Sequence, residues 1–273
     1  MLEGIGQRIE KITDTWGICP FEGIPLLPVR SRKRLPEGAK SIIVLLFGYY
    51  TEEYPQRNIA RYAVADDYHT ILLPKMQGLA DELAEAFPGE AFVPFIDASP
   101  IAEVEAACRA GLGQPGKNGL LINPCYGSYC FIGEVVTTAL LDRGTLKGPA
   151  LCTGCDACIR ACPTGALSEK GFCLEKCRSY ITQKKGELAD WESQEIRLGG
   201  KVWGCDCCVD ACPRNRQARQ SRVPEFYENR EPVLTLEVVE KLYPVKAYGW
   251  RGQKVLYRNL SLLGNNKKNE NDK

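Results

Sequence analysis

The sequence predicts an α+β protein: an α/β layer of about 150 residues, then a compact cysteine module, then a short helical segment. Three observations predict it. Short β-branched apolar runs alternate with apolar stripes at helical spacing in the first half. Cysteines crowd between Cys152 and Cys212, and helical periodicity returns from Val223.

Ser41-Ile42-Ile43-Val44-Leu45-Leu46-Phe47 is a short apolar run ending at Gly48, the pattern of a buried strand. From Asp66 to Phe87, Leu72, Met76, Leu79, Leu83 and Phe87 recur at spacings of three and four. A helix there turns one apolar stripe toward a core until Pro88-Gly89 stops it, and Pro74 is expected to kink or restart it. Ala91 to Phe95 reads as another strand. Ser99-Pro100 supplies an N-cap and a first-turn proline for a helix to about Ala110, ended by Gly111-Leu112-Gly113. After the glycine-rich stretch Gly111 to Gly119, Leu120-Leu121-Ile122 and Phe131 to Leu141 read as further sheet. The expected division is residues 1–150 for this layer, 151–222 for the cysteine module and 223–273 for the helical segment. Leu174 to Leu198 is a polar insertion in the module, and Asn265 to Lys273 is expected to fray.

With 44% hydrophobic residues the chain can bury a sizeable core. Lys and Arg number 35 against 34 Asp and Glu, a formal charge of +1, so no overall field draws the protein to nucleic acid or membrane. An anionic partner must meet a local patch. Arg30, Arg32, Lys33 and Arg34 form one basic run, and Arg214, Arg216, Arg219 and Arg222 form another. The longest apolar stretch, Ile42 to Phe47, is far short of the ~20 residues a bilayer crossing needs. The N-terminal residues lack a basic region followed by an apolar run. The expectation is a cytoplasmic monomer with no membrane partner. Fourteen cysteines, clustered in such a chain, point to metal ligation rather than disulfides.

Cys152-x2-Cys155-x2-Cys158-x3-Cys162-Pro163 has the bacterial ferredoxin spacing, in which three thiolates hold one [4Fe-4S] cluster and the fourth crosses to the other. An incomplete second copy, Cys205-x2-Cys208-x3-Cys212-Pro213, leaves Cys207 outside the set. The first cluster is therefore assigned Cys152, Cys155, Cys158 and Cys212; the second takes Cys162, Cys205, Cys208 and one more. Cys177 is preferred for that place and Cys173 is the fallback. Four thiolates also suit zinc, but zinc sites do not come as interlocked repeats of this kind. Two adjacent clusters deliver single electrons, drawn in turn from an external donor such as flavodoxin or ferredoxin.

Phe95-Ile96-Asp97-Ala98-Ser99-Pro100, Ala110-Gly111-Leu112-Gly113, Gly116-Lys117-Asn118, Asn123-Pro124-x-Tyr126-Gly127-Ser128 and Gly133-Glu134 together resemble epoxyqueuosine reductase. The cysteine module, Cys177-Arg178-Ser179-Tyr180-Ile181-Thr182, Arg61-Tyr62-Ala63, Asp67-Tyr68-His69, Arg258-Asn259 and Gly264-Asn265 continue the likeness over roughly residues 40 to 265. It is that of a short or divergent member: Gln114-Pro115 replaces an apolar pair, and Cys125 and Cys130 stand where arginine and an apolar residue are expected.

The resemblance implies a cobalamin- and [4Fe-4S]-dependent reductase that converts epoxyqueuosine to queuosine at the wobble position in the tRNA anticodon stem-loop. It also implies a nitroreductase-like α/β layer for the cobalamin, facing a ferredoxin-like domain whose clusters reduce the cobalt. Removing an epoxide oxygen takes two electrons and leaves a developing alkoxide that needs a proton donor. Asp97 is the expected donor: its apolar neighbours would raise its pKa, while the helix starting at Pro100 would favour the charged form. His69, the sole histidine, is expected to contact cofactor or substrate. Gly113, Lys117 and Asn118 are expected along the corrin edge, with Tyr126, Gly127 and Ser128 as a second contact strip. The alternatives are a corrinoid iron–sulfur reductase of a small molecule, or an electron-transfer or cofactor-handling protein without epoxide chemistry.

Overall fold

In the computed structural model, residues 2–141, 148 and 150–264 are described. Asn265 to Lys273, expected to fray, lie outside them. The chain forms two compact units: one of residues 1–50, 68–155 and 214–224, the other of 51–67, 156–213 and 225–273.

The first unit is built on a four-stranded sheet. Its elements are α1 (Leu2–Ile9), β1 (Trp16–Pro20), β2 (Ser41–Gly48), α2 (Tyr68–Ala86), β3 (Phe92–Ile96), α3 (Glu103–Arg109), a hairpin of β4 (Gln114–Pro115) and β5 (Leu121–Ile122), and β6 (Cys130–Thr137). The sheet order is β1-β2-β6-β3, every pair antiparallel. Mixed helix and sheet is the expected class, but the alternation of strand and helix makes no parallel crossover here. All eight residues of β2 are buried. Ile42, Val44 and Leu46 join Ala106, Ala107 and Ala110 of the α3 side in one apolar core. By the strand period of two, Ile43, Leu45 and Phe47 face the other way, toward Leu72, Met76, Leu79 and Leu83 of α2, all buried. The α2 stripe is as the periodicity predicts. The helix runs unbroken through Pro74, so the expected restart does not occur.

The α3 helix corrects its predicted start. Ser99 does not cap it; the Ser99 hydroxyl accepts from the Ile101 N–H at 3.3 Å, and the helix begins at Glu103. Residues 100–102 are committed elsewhere: Leu27 N–H donates to Pro100 O at 2.8 Å, Ala102 N–H donates to Pro25 O at 3.0 Å, and Ile101 bridges Leu26. Long-range backbone pairing holds those residues extended against the local capping signal, and it places Glu103 in the first helical turn.

Gly48 ends β2 under the ring of Tyr126; a Cβ there would lie 2.4 Å from two ring carbons. Tyr126 is 2% exposed and cannot swing away. Gly48→Ala is therefore expected to destabilise the fold by about 1–3 kcal/mol by overpacking, read as a lower urea midpoint. An unchanged midpoint would show that the Tyr126 ring yields.

The second unit holds α4 (Ala157–Arg160), a hairpin of β7 (Leu167–Ser168) and β8 (Gly171–Phe172), α5 (Arg178–Gln183), α6 (Asp190–Gly199), α7 (Cys207–Asp210), α8 (Leu236–Leu242) and α9 (Gln253–Gly264). The two short cluster-motif helices, α4 and α7, pack on each other. Trp203, fully buried, donates from its indole to Tyr62 Oη at 2.8 Å and meets Tyr248 edge-on.

The unit boundaries correct the expected division. Residues 51–67 belong with the cysteine module because Ile59 bridges Trp203 in parallel, Ala60 N–H donates to Trp203 O at 2.7 Å and Val202 N–H to Asn58 O at 2.7 Å. Residues 214–224 leave the module for the sheet unit, where Arg219 N–H donates to Cys125 O at 2.8 Å and Ser221 N–H to Tyr50 O at 2.6 Å. The helical segment shares the core of the cysteine unit through Val239 and Leu256 rather than standing apart. Among the described residues no helix is long and apolar enough to cross a membrane.

Candidate active site

β3 ends in a backbone reversal. Asp97 and Ala98 both take left-handed φ, 47° and 31°, costly for residues with a Cβ and held by the surroundings. Ser31 Oγ donates to Ala98 O at 2.5 Å, and Arg34 donates to Pro94 O at 3.0 Å while lying over the Phe95 ring. The reversal turns the Asp97 carboxylate toward the start of α2. Tyr68 Oη donates to Asp97 Oδ2 at 2.9 Å, and His69 Nε2 lies 3.4 Å from the same oxygen. Tyr68 is itself clamped between the rings of His69 (4.1 Å) and Phe131 (4.0 Å).

This answers the question that sequence left open at Asp97. The hydrogen bond from His69 outweighs burial, and that from Tyr68 adds to it, so the Asp97 pKa is held down to about 2. Asp97 is a carboxylate at neutral pH. Its apolar neighbours Phe92, Phe95 and Ile96 are buried, yet the carboxylate itself stays 59% exposed.

A carboxyl that sequence reasoning passed over stands beside it. Tyr68, Asp97, Glu103, Leu121, Ser128 and Cys130 help line a cavity of about 190 Å3. Burial, and then the Asp97 charge, push Glu103 up to about 8, so Glu103 holds a proton at neutral pH. Behind it, Glu134 of β6 is fully buried. Burial pushes Glu134 well above the ordinary range, and the neighbouring Glu103 adds to the shift. The sequence signals were that Glu103 follows the Asp97 motif by six residues, and that Glu134 sits in an otherwise apolar strand and within the Gly133-Glu134 motif.

A raised carboxyl pKa stabilises fully below its unfolded value near 4.5, and that contribution is lost as pH rises through about 8. Wild-type thermal stability is therefore expected to decline across that window, and Glu103→Gln is expected to flatten the decline. The same curve in both proteins would remove the protonated state of Glu103.

The other predicted site residues divide. Ser128 lines the cavity, 5% exposed, with its hydroxyl oxygen unpartnered in the structure. Tyr126 is buried. Its hydroxyl accepts from Arg219 at 2.7 Å, and Arg219 and Arg222 both donate to Asp14. Burial works to raise Asp14, but those two arginines outweigh it and hold it at about 2. Gly127 has φ 56°, and a Cβ there would lie 2.0 Å from Asn215 Oδ1, which accepts the Ser128 N–H at 2.7 Å. Gly113 packs closely on backbone: a Cβ there would meet Ile122 O at 2.2 Å. Asn118 Oδ1 accepts from Leu120 N–H at 3.3 Å and shapes the loop that carries the exposed Lys117. Gln114 Oε1 accepts the Leu151 N–H at 2.5 Å, tying the hairpin to the residue before Cys152. The basic runs are partly spent: Arg34 on β3, Arg214 on Leu151 O, and Arg219 and Arg222 on Asp14. Cys130 lines the cavity as a neutral thiol, burial pushing it up to about 12.

None of the fourteen cysteines is joined in a disulfide. Gly154 and Asp156 have φ of 72° and 57°, curling the chain around the first motif. The Leu167 N–H points at Cys162 Sγ, 3.4 Å away, the kind of backbone donor that stabilises a cluster-bound sulfur. Cys177 sits between a short turn and the start of α5, while Cys173 Sγ donates to the exposed carboxylate of Glu175 at 3.5 Å. Cys207 Sγ lies 4.0 Å from Arg178, whose other nitrogen donates to Glu195 at 2.9 Å.

Residues 151–215 match the family described as a 4Fe-4S double cluster binding domain, and residues 30–98 match the family described as "Epoxyqueuosine reductase QueG, DUF1730". The chain is 32% identical over 245 residues to an epoxyqueuosine reductase of Leadbetterella byssophila, covering 85% of this chain and 79% of that protein. It is 33% identical over 245 residues to the Bacillus cereus epoxyqueuosine reductase, covering 82% of this chain but 63% of the relative's length. A crystal structure of an epoxyqueuosine reductase with an epoxyqueuosine-modified tRNA-Tyr stem loop superposes with a TM-score of 0.81 at 25% identity, over 96% of this chain and 80% of that one.

Proposed function

Given that this chain belongs to the epoxyqueuosine reductase family, we propose that it reduces epoxyqueuosine to queuosine in a tRNA anticodon stem-loop. The observation that carries the reading is the Tyr68-Asp97-His69 arrangement on the wall of a cavity that also presents a protonated Glu103. We take the sheet unit as a nitroreductase-like layer for cobalamin. The cluster ligands are Cys152, Cys155, Cys158 and Cys212, and Cys162, Cys177, Cys205 and Cys208, reloaded by an external one-electron donor such as flavodoxin or ferredoxin.

The residues present fit a bound cobalamin. The buried, unpartnered Ser128 hydroxyl offers a polar contact awaiting an acceptor or donor, and Leu120 offers exposed apolar surface beside it. His69, Lys117, Asn118, Ser128 and the backbone of Tyr126 and Gly127 would hold it. When bound, cobalamin would supply a reducible cobalt and with it the electrons for removing the epoxide oxygen. Losing that oxygen as water consumes two electrons and two protons. Asp97, held ionised, does not store a proton; it relays one, taking it from Tyr68 or His69 as the departing oxygen takes one from it. Glu103 stores the other. Both groups line one cavity, so both protons start beside a substrate held there.

The test is anaerobic purification with added cobalamin, followed by turnover of an epoxyqueuosine-containing anticodon stem-loop. A corrin spectrum that co-purifies and cobalamin-dependent formation of queuosine are expected. A protein that binds no corrin would end this reading.

A further inference from the structure

The second unit contains another cavity, of about 640 Å3, far larger than the one beside Asp97. Lys185, Gly186, Arg251, Gly252, Lys254 and Arg258 are in its lining, so four positive charges surround one hollow, and no carboxylate lines it. Glu187 stands one residue beyond. Glu192 offsets part of the Arg258 charge; the like charges that remain cost free energy unless a ligand offsets them.

Each cation has a distinct part. Arg258 is spent on structure: it donates to Lys184 O at 2.8 Å and Gly186 O at 2.7 Å, fixing the loop that carries Lys185. Glu192 is taken by Lys184 at 2.8 Å. Lys185 and Lys254 are exposed and make no ion pair among the described residues. Arg251 lies 3.8 Å over the ring of Trp250, and its Nε is buried without a hydrogen-bond partner in the structure. The lining also includes the first turn of the 12-residue α9, which follows Gly252 (φ 94°) and carries no acidic residue. Val255 N–H is taken by Gly252 O at 3.3 Å; the N–H groups of Gln253 and Lys254 have no intrahelical acceptor, and glycine at the boundary has no side chain to cap them. Cations converging with a helix N-terminus match the geometry of a phosphate group.

Trp250, the chain neighbour of the cavity-lining Arg251, is 64% exposed, with one face held by Arg251. An exposed indole beside a cationic hollow is the pairing that single-stranded nucleic acid uses: a backbone phosphate in the groove and a base on the ring. We propose that this cavity binds a phosphodiester group of an RNA strand, with an adjacent base stacked on Trp250. It is separate from the Asp97 cavity and rests on the tRNA reading only for the identity of the strand.

The experiment uses the full chain with its clusters and a labelled, unmodified anticodon stem-loop, with binding read by anisotropy over a range of salt concentrations. Lys185→Gln combined with Lys254→Gln is expected to weaken binding about tenfold and to reduce the slope of log affinity against log salt by about 1. Trp250→Ala is expected to weaken it by about tenfold as well, and stem-loop binding should quench the tryptophan fluorescence of wild type but not of this variant. Iron–sulfur absorbance unchanged in each variant confirms the fold. Wild-type protein that fails to bind the stem-loop, or a double variant with unchanged affinity and salt slope, overturns the proposal. So do variants that lose binding to anionic lipid vesicles while keeping the stem-loop. Because the stem-loop carries no epoxide, binding is scored apart from turnover, and a chain that binds RNA here without reducing epoxyqueuosine removes the reductase reading alone.

Discussion

Asp97→Asn is expected to lower turnover of an epoxyqueuosine-containing stem-loop by about 10²- to 10⁴-fold, with the iron–sulfur absorbance unchanged. Asparagine is the informative replacement for two reasons. It keeps the shape and accepts from Tyr68 and His69, but it cannot take up and release a proton at that oxygen. It also tolerates the left-handed φ of 47° that this position imposes, whereas alanine would add backbone strain to the loss of the carboxyl. Binding of the stem-loop should persist, so the loss falls on the chemical step. Turnover equal to wild type would remove Asp97 from proton transfer and leave Glu103 as the group to examine.

The second large effect concerns the eighth thiolate. Cys177→Ser is expected to remove about half of the bound iron, because a cluster with three thiolates is not retained, while Cys173→Ser keeps nearly all of it. The physical basis is local: both cysteines share the unit of Cys162, Cys205 and Cys208, but Cys173 faces the carboxylate of Glu175, an unfavourable neighbour for a metal-bound thiolate, while Cys177 lies at the start of α5. Iron determination on both variants, with circular dichroism as the check on folding, decides it. The opposite pattern would transfer the role to Cys173.

Much of the fold was legible in the sequence wherever the cause is short in range. The Ile42 to Phe47 run became β2, and the Leu72, Met76, Leu79 and Leu83 stripe became the buried face of α2. The cysteine spacing announced the cluster module that residues 151–215 match. Errors gathered where distant backbone intervenes. The Ser99 cap lost to pairing with Pro25 and Leu27, and the division at residue 223 lost to strand-like pairing between residues 58–60 and 202–203. In the active site, Asp97 was visible through the motif that carries it, whereas Glu103 and Glu134 were not assigned a role.

The sequence by itself determined the strands, the amphipathic helix and the double-cluster module, because hydrophobic period and cysteine spacing are properties of neighbours along the chain. Only the tertiary structure decided which carboxyl carries a proton. Asp97 is held ionised by Tyr68 and His69, nearly thirty positions upstream, and Glu103 is kept protonated by its burial beside Asp97 and Glu134. Proton affinity is set by the field and solvation at one point in space, and a linear pattern does not encode which groups meet there.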